Sequence, residues 1–128
     1  ISLIYALPCG GEDMDAFAGD LRLTLAIGDE EFITLGSEES APPNEGEVIY
    51  KDDAGAVCRC WNWRESVRTM LTEKTGRAFL CIELVDETRL EALKEAMNEL
   101  EKLVREALGG VCKSAILDKD NREIDIEE

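Results

Sequence analysis

The sequence predicts an α+β fold, rich in β structure, in which a mainly antiparallel sheet carries one long helix. Three observations predict it. Apolar residues alternate with polar ones in several short segments, a single segment repeats its apolar residues at steps of three and four, and the connections are short and turn-rich. The chain has 128 residues, 45% of them hydrophobic, enough for one ordinary core and too little for two, so residues 1–128 are expected to form a single domain.

The elements follow in order. Residues 1–7 (ISLIYAL) are almost wholly apolar and read as a strand already under way. That pattern leads to the expectation that an N-terminal portion of the domain is missing, and that this segment or a partner chain covers a sheet face or edge. Glu12, Asp13 and Asp15 read either as a solvated turn before a short helical segment or as contacts to a substrate amine or ribose. Leu21, Leu23, Leu25 and Ile27 alternate with Arg22, Thr24 and Ala26, a half-buried strand that turns at Gly28-Asp29-Glu30 toward a second strand at residues 32–35. Residues 36–46 (GSEESAPPNEG) are an exposed loop, extended at Pro42-Pro43. Residues 47–51 and 56–63 form a second hairpin about Asp52-Asp53-Ala54-Gly55. Residues 77–85 have the apolar content of a buried strand.

The helix is placed at residues 88–108. Thr88 and Glu91 form a capping box, Leu90, Leu93, Met97, Leu100, Val104 and Ala107 make the apolar stripe, and Gly109-Gly110 end it. The stripe lasts less than three heptads, which favours a helix packed across a sheet over a coiled coil. Residues 111–117 and 122–126 flank Asp118-Lys119-Asp120-Asn121 as a terminal hairpin.

Composition removes whole classes of chemistry. The chain has no histidine, so Ser-His-Asp triads, Cys-His dyads and imidazole metal ligands are excluded within it. Cysteines at 9, 58, 60, 81 and 112 are odd in number and lack a CxxC pair, which fits free thiols and a cytoplasmic location better than a disulfide framework or a zinc site; no metal or cofactor is expected. No apolar run has bilayer length. The formal charge is −15, from 29 acidic and 14 basic residues. Such a field repels phosphate and argues against duplex DNA and anionic membranes as partners.

One stretch differs. Residues 56–77 hold five bases (Arg59, Arg64, Arg68, Lys74, Arg77), two acids (Glu65, Glu73) and both tryptophans. Strand alternation through this stretch places Arg59, Trp61 and Trp63 on one face and Cys58, Cys60, Asn62 and Arg64 on the other. Arg beside Trp suits stacking on a base and pairing with a phosphate. The plainer reading is that the tryptophans are core and the arginines pair with the surplus carboxylates.

The succession LPCGGEDMDAF (7–17), GDLRLTLAIGDEEFITLG (19–36), GEVIYKDDAGAVCRCWNWRES (46–66) and TEKTGRAFLCIE (72–83) resembles the B3/B4 domain of the phenylalanyl-tRNA synthetase β subunit, and most of all free-standing B3/B4 proteins with GE-V-Y, WNWR and T-x-x-T segments. The resemblance runs to about residue 108. It implies a β-rich α+β fold and, in the synthetase, a site that hydrolyses tyrosine mischarged on tRNA(Phe). Departures from the pattern are specific. The synthetase's PLHAFD motif falls on Pro8 to Asp13, with Gly10 in place of the histidine; its functional glutamate falls on Cys81, the nearest carboxylate being Glu83; its GVMGG segment is replaced by Cys60 to Arg64. Thr72 and Thr75 match the T-x-x-T pair.

Tyrosine editing therefore does not carry over. The resemblance implies an RNA-binding protein of the tRNA type whose partner is the tRNA acceptor end or an aminoacyl-tRNA. Ester hydrolysis is a possible activity with Thr72, Thr75 and Glu83 as catalytic candidates. Gly10, Gly11, Glu12, Trp61, Asn62, Trp63 and Arg64 are the binding candidates, expected to converge beside a Gly10-Gly11 turn. Glu83, inside an apolar strand, should pair with Arg59 or Arg64 or line the pocket. The alternatives are a noncatalytic amino-acid-binding module and a protein-interaction module using the helix.

Overall fold

The computed structural model describes residues 1–126. Its elements are α1 (Ser2–Tyr5), β1 (Cys9–Asp13), β2 (Arg22–Leu25), β3 (Val48–Asp52), β4 (Gly55–Arg59), β5 (Arg64–Glu65), β6 (Ala78–Ile82) and α2 (Leu90–Leu108), with 3-10 turns at Met14–Ala16 and Glu87–Arg89. The strands form two antiparallel sheets, a four-stranded one in the order β2-β3-β4-β5 and a two-stranded ribbon of β1 and β6. The predicted α+β class, β-rich and antiparallel with one long helix, is the observed one.

The ribbon lies between the four-stranded sheet and the helix. Register pairs Gly10 with Cys81 and Glu12 with Phe79, so these four side-chain positions share one ribbon face. Phe79 packs there against Tyr50, Val57 and Cys58, joined by Phe17 and Leu21. Leu7, Leu93 and Ala96 form a second cluster with Ile82, Leu84, Met97 and Ile116, which seats α2 on the other face. A third cluster, Ala26, Phe32, Ile49 and Ala56, closes the far side of the four-stranded sheet.

Several sequence expectations are corrected. Residues 2–5 form one helical turn instead of a strand, with Leu3 and Ile4 exposed. Residues 32–35 are not a strand, because the Glu30 carboxylate binds the Ile27 and Gly28 N–H groups and sends Phe32, fully buried, across the sheet. The hairpin partner of β2 is β3. Leu23, Leu25 and Ile27 are exposed, since the ribbon reaches only the Tyr50 and Cys58 part of their face, while Ala26 on the opposite face is buried. β6 lies half exposed in its two-stranded ribbon, with Leu80 at 42%.

The helix span and its Gly109 end match expectation, Gly109 taking φ 65°; of the expected stripe only Leu93 is buried, with Met97 packed beside it, while Leu90 and Ala107 are exposed and Ala96 is the other buried position. Its entry differs: Asp86, not Thr88, caps the preceding 3-10 turn by accepting from the Thr88 N–H and hydroxyl. Near the end of the chain Asp118 closes the expected turn with Asp120 and Asn121, but residues 111–117 and 122–126 form no strand ladder.

Buried ion pairs hold the loops to the sheet. Asp52, 2% exposed, accepts both nitrogens of Arg68 at 2.8 Å and the Ala18, Ala54 and Gly55 N–H groups. Glu47 accepts from Arg59 at 2.9 and 3.1 Å and from the Cys60 N–H at 3.0 Å. Hydrogen bonding from Arg59 lowers the Glu47 pKa to about 2, against an opposing effect of burial; Glu30 also falls to about 2, because backbone N–H groups and Lys51 outweigh its burial. Both values lie below the ordinary 4.5, so the stability these carboxylates contribute is complete above about pH 4.5 and is lost as pH falls toward about 2. Glu47→Gln should lower unfolding free energy at pH 7 by about 3 kcal/mol and flatten the acid limb of a urea-denaturation pH series; an unchanged acid limb would contradict the assignment.

Candidate functional site

Two non-glycine residues decide where the site forms. Cys60 and Trp61 adopt φ of 51° and 62°, a conformation that ends a strand. The chain therefore reverses after Arg59 instead of continuing to residue 63, and β5 returns antiparallel with Arg64 opposite Arg59 and Glu65 opposite Cys58. Glu47 anchors the reversal through Arg59 and the Cys60 N–H, and the Trp61 N–H donates to the Val48 carbonyl at 3.1 Å. The two-faced alternation expected across residues 56–63 is thus replaced by a four-residue loop, Cys60-Trp61-Asn62-Trp63.

This loop borders a cleft of about 530 Å³ lined by Ser2, Ala6, Leu7, Pro8, Cys9, Asn62, Trp63 and Glu65. That size suits a small ligand. Trp63 is 84% exposed and Trp61 is 38% exposed, so neither is core. Three arginines of the basic stretch are committed to carboxylates, Arg59 to Glu47, Arg68 to Asp52 and Arg77 to Asp15. The plainer reading of the stretch holds for those three. Arg64 is exposed and carries no ion pair among the described residues.

Below the loop a polar cluster fills the space between ribbon and sheet. Gly10 lies within the β1 strand, not a turn, and a Cβ there would stand 3.1 Å from Asn62 Cβ and 3.2 Å from Cys81 Sγ, so a side chain at this position would require the loop or Cys81 to give by a few tenths of an ångström. The Asn62 amide donates to Cys81 Sγ at 3.7 Å. Glu83 accepts the Tyr50 hydroxyl at 2.6 Å; among the described residues it pairs with neither Arg59 nor Arg64, and it is not on the lining of the cleft, so a buried tyrosine takes the place of both expected settings. Burial, with Glu83 adding to it, drives the Tyr50 hydroxyl well above its usual range, and burial raises Cys81.

Glu12 is the deepest member. It is 2% exposed, which overturns its reading as part of a solvated turn. Asp13 and Asp15 do frame the short helical turn, Asp13 Oδ1 accepting the Asp15 N–H. The Cys58 thiol donates to Glu12 Oε1 at 2.9 Å. Glu12 Oε2 and Thr69 Oγ1, both buried, have no hydrogen-bond partner. Burial pushes the Glu12 pKa up to about 7, the Cys58 thiol opposing it and the neighbouring Glu65 carboxylate reinforcing it.

The two threonines do not join this cluster. Gly11 and Asp13 face the opposite side of the ribbon from Gly10 and Glu12, and a Cβ on Gly11 would meet Leu71 Cδ1 at 2.8 Å. Thr75 Oγ1 donates to Asp13 Oδ2 at 3.2 Å and accepts the Thr72 N–H, while Thr72 Oγ1 accepts the Lys74 N–H. Thr72 and Thr75 thus lie across the ribbon from Asn62, Cys81 and Glu83. Gly10 and Asn62 come together with Cys81, two residues before Glu83, whereas Gly11, Arg64, Thr72 and Thr75 do not join them, Arg64 facing the Arg59 side of the sheet.

Sequence reasoning missed Glu65, Cys58 and Tyr50. Glu65 pairs across the ladder with Cys58, whose thiol touches Glu12, so recognising it required the reversal at Cys60-Trp61. The Asn62 between two tryptophans was the sole turn signal there. Among the described residues no helix is long and apolar enough to cross a membrane.

Comparison with known proteins gives one match: the family described as "B3/4 domain" covers residues 1–109. No curated protein and no solved structure matches.

Because the Glu12 pKa is raised, the folded state binds its proton more firmly than the unfolded chain, and the associated stability is full below about pH 4.5 and lost as pH rises through about 7. Glu12→Gln, whose amide is neutral at every pH, should be more stable than the wild type at pH 8 by about 1–3 kcal/mol and show no decline between pH 5 and 8. Chemical denaturation across that range tests this, and parallel pH profiles for the two proteins would contradict a neutral Glu12.

Proposed function

We propose that this chain, which belongs to the B3/4 domain family, binds the acceptor end of tRNA and seats an amino acid joined to it in the cleft beside Asn62. The observation that carries the reading is an exposed Trp63 on the lining of that cleft, followed in the chain by an exposed, unpaired Arg64 that faces the Arg59 side of the sheet, on a protein of formal charge −15. A chain so acidic meets a polyanion only where the field is locally cancelled. Arg64 supplies a phosphate contact and Trp63 a stacking platform for a terminal base, interactions that tolerate single-stranded ends and need no duplex groove. Beneath them, the Leu7 and Pro8 side and the polar side at Asn62 and Glu65 suit an aminoacyl group.

Binding is favoured over ester hydrolysis as the primary activity. The Thr72 and Thr75 hydroxyls are engaged within their own turn and with Asp13 on the far ribbon face, so they do not flank an ester seated beside Asn62. A protein-interaction role for α2 has less support, because its Leu93 and Ala96 are buried against Leu7.

Fluorescence anisotropy with labelled tRNA over a range of salt concentrations tests the reading. Arg64→Glu should weaken binding and reduce the salt slope by about one unit, and Trp63→Ala should cost about 1–3 kcal/mol with the slope unchanged. Arg77→Gln, which removes a charge already paired with Asp15, should change neither by more than a small fraction. Unaltered affinity and slope in the Arg64 variant would sink the proposal.

A further inference from the structure

The interior polar cluster holds more acid than its structural bonds explain. Glu12, Glu65 and Glu83 come from β1, β5 and the end of β6, with the Cys58 and Cys81 thiols and the Tyr50 hydroxyl around them. No lysine or arginine pairs with any of the three carboxylates among the described residues. Glu83 is satisfied by Tyr50. Glu12 and Glu65 are not. Glu65 stands opposite Cys58 in the β4–β5 ladder, and Cys58 Sγ is 2.9 Å from Glu12 Oε1, so the ladder brings the two carboxyl groups side by side. Glu65 lines the cleft, while Glu12 behind it keeps a buried Oε2 without a full hydrogen bond, the Glu65 carboxyl group and the Thr69 hydroxyl both standing close enough to act on it.

Two adjacent carboxyl groups with no cation beside them are stable when they share one proton. An ammonium group in the cleft would replace that proton, because it neutralises both oxygens at once and supplies several N–H donors. Among the described residues no three acidic or sulfur side chains are grouped to hold a metal ion, whereas a paired site opening to one side suits a monovalent ammonium.

We infer that Glu65, backed by Glu12, recognises the free amino group of the ligand, and that this recognition releases a proton. The inference rests on the cleft assigned above and names the part of the aminoacyl group that the cleft reads. The step is a proton transfer only: the acid proton leaves Glu12 Oε2 for a solvent base, and the ammonium takes its place beside the Glu12 and Glu65 carboxyl groups. The titratable groups facing the pair are Cys58 from β4 and Cys81 from β6, and burial raises both thiols, so neither competes as an anion. The amine has two possible sources, an amino acid esterified to RNA or a small amino-acid ester, and the test separates them.

The probes are a short RNA hairpin ending in CCA and charged with alanine, phenylalanine or tyrosine, the N-acetylated form of each, and the corresponding ethyl esters with and without N-acetylation. Titration calorimetry at pH 6.5 in two buffers of unlike ionisation enthalpy reads affinity and proton release together. N-acetylation should weaken binding about tenfold or more, with roughly one proton released by the free amine only. Glu65→Gln should erase the difference between free and acetylated probes. Glu12→Gln should abolish proton release; if that buried variant fails to fold, the Glu65 variant still decides.

Tight binding of charged hairpins that ignores N-acetylation would overturn the inference and leave the RNA-binding reading intact. Failure of every hairpin to bind would overturn the RNA-binding reading instead. The ethyl esters then decide the inference alone: amine-dependent binding supports it, and absent or amine-independent binding overturns it.

Discussion

The arrangement of the cleft depends on one carboxylate. Glu47 holds the Arg59 guanidinium through two hydrogen bonds, accepts the Cys60 and Asn44 N–H groups, and is itself almost removed from solvent. These bonds compensate for burying the charge, and they secure a backbone reversal in which two residues with side chains occupy the left-handed region. If β4 ran on instead, Asn62 would leave Gly10, Glu65 would leave Cys58, and Trp63 would not reach the cleft. Arg59 also lies over the Phe32 ring, which couples the reversal to the loop closing the far face of the sheet.

A second constraint is the absence of a side chain at Gly10. Strand β1 lies so close to the 60–63 loop that a Cβ would crowd both Asn62 and Cys81. A larger residue at this position would require Asn62 or Cys81 to shift. The ribbon then separates two polar groups that a linear motif comparison places together: Asn62, Cys81 and Glu83 on the sheet side, Thr72 and Thr75 on the other.

Acidic residues serve opposite purposes in the two halves of the structure. Glu30 and Asp52, buried, and Glu47, partly buried, are held by Lys51, Arg68 and Arg59 and by backbone N–H donors, and remain ionised. Glu12 is buried with a thiol and another carboxyl group, and is held near neutrality. The first set stabilises the loops around the sheet. Glu12 instead costs stability once ionised, and a folded protein tolerates such a group most readily where a ligand supplies the missing charge.

The sequence by itself determined the fold class, the position and length of the long helix, the β3–β4 hairpin and the exposed 36–46 loop. Each rests on local information: helical periodicity over Leu90 to Ala107, a glycine end at Gly109, Asp and Gly in the 52–55 turn, and a polar run rich in Pro and Ser. Family likeness and the local charge of residues 56–77 also pointed to the neighbourhood of the cleft. Tertiary structure alone decided which faces were covered, where strand β4 stopped and which polar residues met. Leu23 and Leu25 alternate as a buried row does, yet the ribbon stops short of them; Cys60 and Trp61 carry no turn chemistry, yet Glu47, distant in sequence, secures their reversal. Glu12 and Glu65 became neighbours through two different sheets packed face to face. Periodicity records what one segment prefers, whereas burial and ion pairing depend on what other segments bring to it.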